Sequence, residues 1–286
     1  MSITSRRSFL KAGGAVAAAA CAGAERLAAK TLHMPIGLQL YSVHAQLAKD
    51  FDGTLSKLRP AGYTVVEAAG YYDRTAPEFR QAMDAAGLRC ISTHHSLDML
   101  RAQLDELIEY GHKLGLDYIV SAASSHRDPA AKGPLTMDDW RFSADEMNRI
   151  GEKVKAAGMT FGCHNHNAEF GSEDGVVFFD ELLRLTDPRL VVFEMDCGWV
   201  YTAGRNPAEY LSKTPERFPL LHIKDMVKEQ DGKFFSPPLG RGNVNNRAIM
   251  RAATGLKQYF IEQEDYDMDP FDELRLDAEY MRKLKL

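Results

Sequence analysis

The sequence predicts an α/β protein that folds as a single-domain (β/α)8 barrel, the TIM-barrel architecture. One observation is a recurring glycine, as in Gly87-Leu88-Arg89 and Gly158-Met159-Thr160, that follows a helical stretch and precedes a short apolar run. Helices often end at a left-handed glycine of this kind. The other observation is that the apolar runs number eight, which fits a closed barrel of this length. An open doubly wound sheet is the alternative, but no G-x-G-x-x-G follows the first run.

The eight apolar runs define the predicted strands, and the segments between them have helical periodicity. For example, Leu97, Leu100, Leu104, Leu107 and Leu114 form one apolar face. The predicted strands are Ile36 to Tyr41, Thr64 to Ala68, Leu88 to Ser92, Tyr118 to Ser121, Thr160 to Cys163, Leu190 to Met195, Pro219 to Ile223 and Gln258 to Glu262.

The N-terminus has the pattern of a twin-arginine export signal. Arg6 and Arg7 are followed by Phe-Leu-Lys and then by an Ala/Gly-rich run, 12–24, that is too short to cross a membrane. The small residues at 22–24 fit a cleavage site. The twin-arginine route carries folded proteins, so a metal could be inserted before export and the mature protein would work in the periplasm.

This signal sets the predicted organisation of the chain. Residues 1–24 are the export signal, residues 25–34 a linker and residues 35–286 the barrel. Lipid anchoring through Cys21 is a minority alternative, because the residue three before it is Ala18 rather than the usual Leu. The expected partners are the export machinery and a small-molecule sugar. The mature protein is not expected to span a membrane, and the sequence is compatible with a homo-oligomer.

Composition and charge exclude some classes of partner. The chain has 286 residues, of which 45% are hydrophobic and 26% charged, as in ordinary globular proteins. Removal of residues 1–24 takes away three basic residues and no acid, so the formal charge moves from −5 to −8. This charge argues against a nucleic-acid partner. Cys90, Cys163 and Cys197 have no zinc-finger spacing and are expected to be small buried residues without a disulfide framework.

Acids and histidines recur where the predicted strands end, which is where a barrel of this type carries its chemistry. Unpaired charges crowded into one barrel mouth would repel and desolvate one another, and a divalent cation resolves that conflict. The donors are oxygen and nitrogen without thiolate, which suits Mn2+, Co2+, Zn2+ or Fe2+ better than Ca2+. The residues concerned are Glu67, His94, His95, His164, His166, Glu194, Asp196, His222, Lys224, Glu262 and Glu264.

Four strings follow or end the last four predicted strands in a fixed order: HNHNAEF (164–170), MDCGW (195–199), LHIKDM (221–226) and IEQE (261–264). Together they resemble the signature segments of the sugar phosphate isomerase/epimerase group, the xylose isomerase-like barrels, over a region from about Ile36 to the C-terminus. The first string resembles a His-Asn-His subgroup. The resemblance is specific for the superfamily and much less specific for the reaction.

Members of that group typically hold one divalent metal with ligands from the fifth to eighth strands. The resemblance implies Asp196, His222 and Glu262 as ligands, with His164 in place of the usual Glu. Trp199 stands where ketose epimerases often carry a His. The loop GRGNVN, residues 240–245, also departs from relatives, which commonly have acids at its Arg and second Asn positions.

The shared chemistry of the group is proton abstraction next to a carbonyl that the metal polarises. His164 removes one of the two opposed carboxylates that ketose epimerases use, which favours addition or removal of water over simple 3-epimerisation. Glu262 is the first candidate base, with Glu169 or Lys224 as its partner. Capping of the following segment is an equal alternative for Glu169. Substrate contacts are expected from His166, His95, Trp199, Glu67 and Tyr41.

The sequence therefore predicts a divalent-metal-dependent isomerase, epimerase, hydratase or dehydratase acting on a sugar or keto-sugar. Two alternatives remain open. One is a metal-dependent phosphodiesterase of the endonuclease IV-like barrel, which the acidic charge disfavours. The other is a non-catalytic periplasmic sugar-binding protein, which would need neither Glu262 nor a metal. Neither the sugar nor the native metal follows from the sequence.

Overall fold

The computed structural model describes residues 34–286 and confirms the closed (β/α)8 barrel. All barrel strands pair in parallel, each with its neighbours in the chain, and the first strand closes on the last. The predicted export signal, Cys21 and almost all of the predicted linker lie outside the described residues. The barrel strands are β1 (Gly37–Gln39), β2 (Val65–Ala69), β3 (Arg89–His95), β4 (Tyr118–Ser121), β5 (Thr160–His164), β6 (Val191–Asp196), β7 (Leu220–Ile223) and β8 (Gln258–Ile261).

Helices follow the strands and surround the barrel. The helices are α1 (His44–Leu47), α2 (Phe51–Ala61), α3 (Ala76–Ala86), α4 (Leu97–Leu114), α5 (Met137–Ala156), α6 (Phe178–Leu185), α7 (Cys197–Thr202), α8 (Pro207–Lys213), α9 (Asn246–Ala252) and α10 (Pro270–Lys283). Two short hairpins decorate the loops, one pairing Ser172–Glu173 with Val176–Val177 and the other Val227–Lys228 with Phe234–Phe235. No helix among residues 34–286 has the length and apolar character to cross a membrane.

Local sequence signals explain where these helices begin and end. Ser96 caps α4 by accepting a hydrogen bond from the Met99 amide, and Thr136 and Asp139 form a capping box at the start of α5. Helix α3 ends at Gly87, whose φ of 66° is left-handed, as the glycine punctuation predicts.

Two apolar regions hold the barrel together. The larger one fills the space between the strands and the surrounding helices. The smaller one lies inside the barrel, and we call it the barrel plug; it consists of Val65, Ile91, Val120, Leu220 and Phe260. On β7 and β8 the plug residues are followed, two positions later on the same face, by His222 and Glu262. The plug therefore forms the floor beneath the polar residues of the mouth.

Two strands differ from their predicted extents by more than one residue at an end. Strand β1 ends at Gln39 rather than Tyr41, because the chain turns there into the 3-10 helix Leu40–Val43 and the Gln39 side chain accepts from the Tyr41 amide. Strand β3 continues to His95 rather than ending at Ser92, because its last residues pair with β4. Among the described residues, Cys90, Cys163 and Cys197 are buried and free.

Candidate metal centre

Inward-facing side chains form two overlapping clusters above the barrel plug. The upper cluster is His164, Asp196, His222 and Glu262, and the lower cluster is His94, His164, Glu194 and His222. In each cluster, the atoms that could bind a metal all lie within 4.8 Å of one another. Strand alternation stacks the clusters, since Glu194 precedes Asp196 on the same face of β6. The upper cluster contains the four predicted metal ligands.

In the upper cluster, a histidine and a lysine lie between carboxylates. His222 Nδ1 is 2.9 Å from Glu262 Oε2 and 3.9 Å from Asp196 Oδ2. Lys224 Nζ is 2.9 Å from Asp196 Oδ2 and 3.0 Å from Glu262 Oε2, and it also contacts the Glu264 carboxylate. The lysine is fully buried, so this ammonium group is a counter-ion held inside the barrel.

The electrostatics of this cluster follow from burial and charge. Burial raises the pKa of Asp196 to about 6, although Lys224 opposes the shift. Burial also disfavours an ionised Glu262, but Lys224 and His222 outweigh it and hold the pKa of Glu262 well below its usual value. Two buried carboxylates thus share one lysine, the contact of Asp196 Oδ2 with that lysine is an ion pair without hydrogen-bond geometry, and His164 Nδ1 is buried without a hydrogen-bond partner. Mixed oxygen and nitrogen donors with such unpartnered atoms fit a divalent transition-metal ion.

The lower cluster centres on one carboxylate oxygen. Glu194 Oε2 lies 2.6 Å from His94 Nε2, 3.1 Å from His222 Nε2 and 3.4 Å from His164 Nδ1. A second buried carboxylate, that of Glu67, contacts His94 Nε2 at 3.0 Å and His222 Nε2 at 2.7 Å. His222 consequently presents one ring nitrogen to each cluster.

A cavity of about 390 Å³ opens directly above the upper cluster. This volume is within the range of small-molecule binding sites, about 300–1,000 Å³. Among the residues with predicted roles, those that line the cavity are Tyr41, His95, His164, His166, Trp199 and Glu262. His94 and Glu264 line it too, although neither was chosen as a site residue from the sequence. The upper cluster is therefore accessible to a ligand from the mouth of the barrel.

Trp199 and Gly198 shape the position of Lys224. Lys224 Nζ lies 5.0 Å from the centroid of the Trp199 ring, at the distance of a cation–π contact. The Trp199 amide donates to Asp196 Oδ1 at 2.8 Å, so Asp196 also caps helix α7. A Cβ atom at residue 198 would lie 2.8 Å from Lys224 Cγ and Cδ, which is why glycine is required there.

Two residues with predicted roles lie outside the cavity lining. Glu67 is completely buried one layer below, where it accepts hydrogen bonds from Gln39 Nε2 at 2.7 Å and from the Ser92 hydroxyl. The expected direct contact of Glu67 with a substrate is therefore corrected to a contact with the histidines of the lower cluster. The reason is depth, because Glu67 is completely buried and its Oε2 faces His94 and His222 instead of the cavity.

Glu169 is the other residue that the structure places elsewhere. The chain turns into the 3-10 helix Ala168–Phe170, and Glu169 Oε2 accepts a hydrogen bond from the His166 amide at 2.9 Å. This is a local capping contact of the kind weighed as the alternative to catalysis. Burial raises the pKa of Glu169 to about 7.

Sequence reasoning noted His94, Glu194 and Glu264 at the strand ends but gave none of them an individual role in the site. A signal for two of them was present, because Glu194 shares a strand face with Asp196 and Glu264 shares one with Glu262. His94 was harder to select, because β3 has a register shift opposite Val66 and Glu67 that alters its alternation.

Comparison with known families identifies the barrel. A model of the xylose isomerase-like TIM barrel matches residues 55–284. The chain belongs to this family. A model of the twin-arginine translocation signal matches residues 4–23, which confirms the predicted export signal. Assignment to the His-Asn-His subgroup stays a prediction.

Individual relatives within this family are distant. An inosose dehydratase of Clostridium beijerinckii is 24% identical over 191 residues, and the match covers 62% of this chain and 63% of the relative. An inosose dehydratase of Geobacillus thermodenitrificans is 24% identical over 274 residues, with 82% and 89% covered. The crystal structure of a sugar phosphate isomerase/epimerase from Parabacteroides distasonis is 28% identical, with a TM-score of 0.75 and coverage of 87% and 98%.

Proposed function

We propose that this protein is a divalent-metal-dependent enzyme that removes a proton next to the carbonyl of a sugar or keto-sugar. Loss or addition of water is the favoured outcome, with isomerisation or epimerisation as the alternative. The observation that carries the proposal is the upper cluster, which places four metal-binding side chains at the floor of an open cavity. The distant relatives named inosose dehydratases support a reaction in which water is lost.

The upper cluster would hold the metal through His164, Asp196, His222 and Glu262. A divalent ion bound there supplies a Lewis acid that polarises the carbonyl and hydroxyl oxygens of a bound sugar. Because the donors are two carboxylates and two imidazoles, Mn2+, Co2+, Zn2+ and Fe2+ are the ions that suit this site.

The proton-transfer roles go to Glu262 and Lys224. Glu262 lines the cavity and stays ionised at neutral pH, because Lys224 and His222 lower its pKa, so its carboxylate is ready to accept a proton. The ammonium of Lys224, 3.0 Å from Glu262 Oε2, places positive charge beside the carboxylate and is the candidate acid partner of Glu262. Glu169, which supports the backbone at His166, is a positioning residue rather than a catalytic one.

Substrate binding falls to the residues around the cavity. Burial lowers the pKa of His95 to about 4, so its ring is neutral at working pH and can form hydrogen bonds to hydroxyl groups without adding charge. Tyr41 and Trp199 offer aromatic surface to the apolar face of a sugar. His166 follows β5 and Tyr41 follows β1, and these two strands lie opposite each other in the barrel. His166 therefore offers a further polar contact across the cavity from Tyr41.

The export signal supports a working site outside the cytoplasm. We propose the periplasm as the working compartment and an unphosphorylated sugar as substrate, because phosphorylated intermediates are rare outside the cytoplasm. The acidic charge of the chain agrees with a neutral substrate better than with a phosphodiester or nucleic acid.

The proposal is tested by deuterium exchange followed by NMR. Metal-loaded protein is incubated in D2O with a panel of ketoses, inososes and 3-keto-glucosides, beside Glu262→Gln. Glu229→Gln, an identical change at an exposed position, is the matched control. We expect exchange at the carbon next to the carbonyl in the wild type and the control, and its loss in Glu262→Gln.

Metal content of each variant must be measured as well, because Glu262 is also a proposed ligand. Loss of exchange with retained metal identifies Glu262 as the base, whereas loss of both identifies it as a ligand. No exchange with any substrate in metal-loaded wild type would refute the keto-sugar proposal. The result would then favour phosphoester cleavage or sugar binding without catalysis as the function of the protein.

A further inference from the structure

The lower cluster has the composition of a metal site in its own right. It brings together three imidazole nitrogens, from His94, His164 and His222, and one carboxylate, from Glu194. The three rings pack around one point, with centroid separations of 4.5 to 5.3 Å. All four nitrogen and oxygen donors lie within 4.8 Å of one another. A tetrahedral zinc ion with bonds of about 2.0–2.1 Å needs donors roughly 3.4 Å apart, which small side-chain rotations can reach.

Two atoms of this cluster lack the hydrogen bonds that buried polar atoms normally make. His164 Nδ1 and Glu194 Oε1 are both buried and have no hydrogen-bond partner. An unpartnered buried polar atom costs about 1–3 kcal/mol, so such atoms in a native protein call for a partner. His164 Nδ1 points to the carboxylate of Glu194 at 3.4 Å, where a shared ion would satisfy both residues.

Charge leads to the same conclusion. Glu67 and Glu194 are completely buried in this layer, and no lysine or arginine contacts either of them among residues 34–286. Lys224, the nearest buried ammonium group in this part of the barrel, already forms ion pairs with Asp196, Glu262 and Glu264 in the layer above. A single ion in the upper cluster therefore leaves the two lower carboxylates to be neutralised by the imidazoles of His94 and His222 or by a second cation.

We propose that the lower cluster binds a second divalent cation, with His94, His164, Glu194 and His222 as its protein ligands and Glu67 orienting His94 and His222 from outside. The donor set of three nitrogens and one oxygen favours Zn2+ over Mg2+, Ca2+ or Mn2+. Both sites can be filled at once only if His164 and His222, which belong to both clusters, each give one ring nitrogen to each ion; His222 Nε2 faces Glu194 at 3.1 Å and its Nδ1 faces Glu262 at 2.9 Å. The lower ion has four protein donors, as structural metals do, and two of them, Glu194 and His222, are completely buried.

The experiment is a count of metal equivalents by inductively coupled plasma mass spectrometry. The full chain and its variants are dialysed against zinc sulfate and then against metal-free buffer. We expect two zinc equivalents per chain in the wild type, one in His94→Gln and one in Asp196→Asn. His95→Gln, the neighbouring histidine that faces the cavity side, should keep both equivalents.

The results separate this inference from the proposed function. One equivalent in the wild type that is lost in Asp196→Asn and kept in His94→Gln overturns the second site and leaves the proposed function standing. In that case two protonated imidazoles, those of His94 and His222, neutralise the lower carboxylates. One equivalent that is lost in His94→Gln and kept in Asp196→Asn supports ion binding by the lower cluster and instead overturns the upper site.

A measurement on the wild type alone keeps the inference testable if His94→Gln fails to fold. X-ray absorption at the zinc edge reports the number of imidazole rings around the metal. A deep site contributes three histidines to one ion, so protein loaded with a single equivalent should show three imidazoles per zinc if that ion occupies the lower cluster. Two or fewer imidazoles at every loading level would overturn it.

Discussion

Lys224→Met tests whether the buried lysine is the internal counter-ion of the upper cluster. The substitution keeps a chain of similar length but leaves Asp196 and Glu262 without the ammonium that lies 2.9 and 3.0 Å from their oxygens. Removing one partner of a buried ion pair costs about 3–5 kcal/mol. With a urea m-value of about 2–3 kcal/mol/M, the unfolding midpoint should fall by about 1–2.5 M in the presence of a chelator.

Divalent metal makes this prediction specific. An ion bound between the same carboxylates replaces much of the lost positive charge, so the midpoint should fall by less than half as much when Mn2+ is present. Urea unfolding followed by circular dichroism, with EDTA and with Mn2+, measures both numbers. The control is Lys257→Met, an exposed lysine at the foot of β8 that should change stability by no more than about 0.5 kcal/mol. A loss below about 1 kcal/mol in EDTA, or an equal loss with Mn2+, would refute the counter-ion role.

Three further predictions concern the same site. Burial raises the pKa of Glu169 from 4.5 to about 7, so ionising it costs the folded protein up to about 3 kcal/mol. Because the unfolded chain releases this proton first, the stability contribution falls as pH rises from about 4.5 to 7. Glu169→Gln should therefore stabilise the protein at pH 8 and not at pH 4 in urea unfolding; an equal effect at both pH values contradicts the assignment. Gly198→Ala places a Cβ 2.8 Å from Lys224 and should lower stability by about 1–3 kcal/mol, measured by thermal unfolding. An unchanged melting temperature would mean that α7 moves freely. Asp196→Asn should weaken Mn2+ binding at least about tenfold in calorimetric titration while leaving the α7 cap in place, because Asn also caps helices. Unchanged affinity would place the ion elsewhere.

Much of the upper cluster was predictable because strand alternation is a simple rule. His164 and Asp196 end their strands, His222 lies one residue before the end of β7 and Glu262 one residue after the end of β8, and parallel strands of one barrel end at the same rim. Their convergence within 4.8 Å follows from that geometry without knowledge of any side-chain contact. The same reasoning located the cavity residues His166 and His95.

Depth along the strands was not predictable in the same way. Alternation says which face a residue is on, but it does not say how many layers the barrel interior contains. Glu67 and Glu194 belong to the layer below the cavity floor because the plug occupies only the lowest inward positions. The direction in which the His94 side chain points depends in addition on the register shift between β2 and β3, which no periodic pattern in the sequence reveals.

Turn geometry limited the prediction for Glu169. A sequence motif places this carboxylate three residues after His166, which is compatible either with reaching the substrate or with folding back on the chain. The 3-10 helix after β5 decides between them, because it directs Glu169 to the His166 amide. Similarly, β1 ends early because the Gln39 side chain accepts a hydrogen bond from the Tyr41 amide and so caps the 3-10 helix Leu40–Val43.

The barrel plug determines the order in which metal ions can bind and dissociate. It closes the lower end of the barrel with apolar side chains that expose no more than 7% of their surface, so an ion reaches either cluster from the cavity side. An ion destined for Glu194 and His222, the completely buried ligands of the lower cluster, would have to enter before the upper position fills. Loading is then sequential, with the deeper ion first in and last out. A chelator added to fully loaded protein would remove metal in two phases, and only the slower phase would report on the histidine-rich layer.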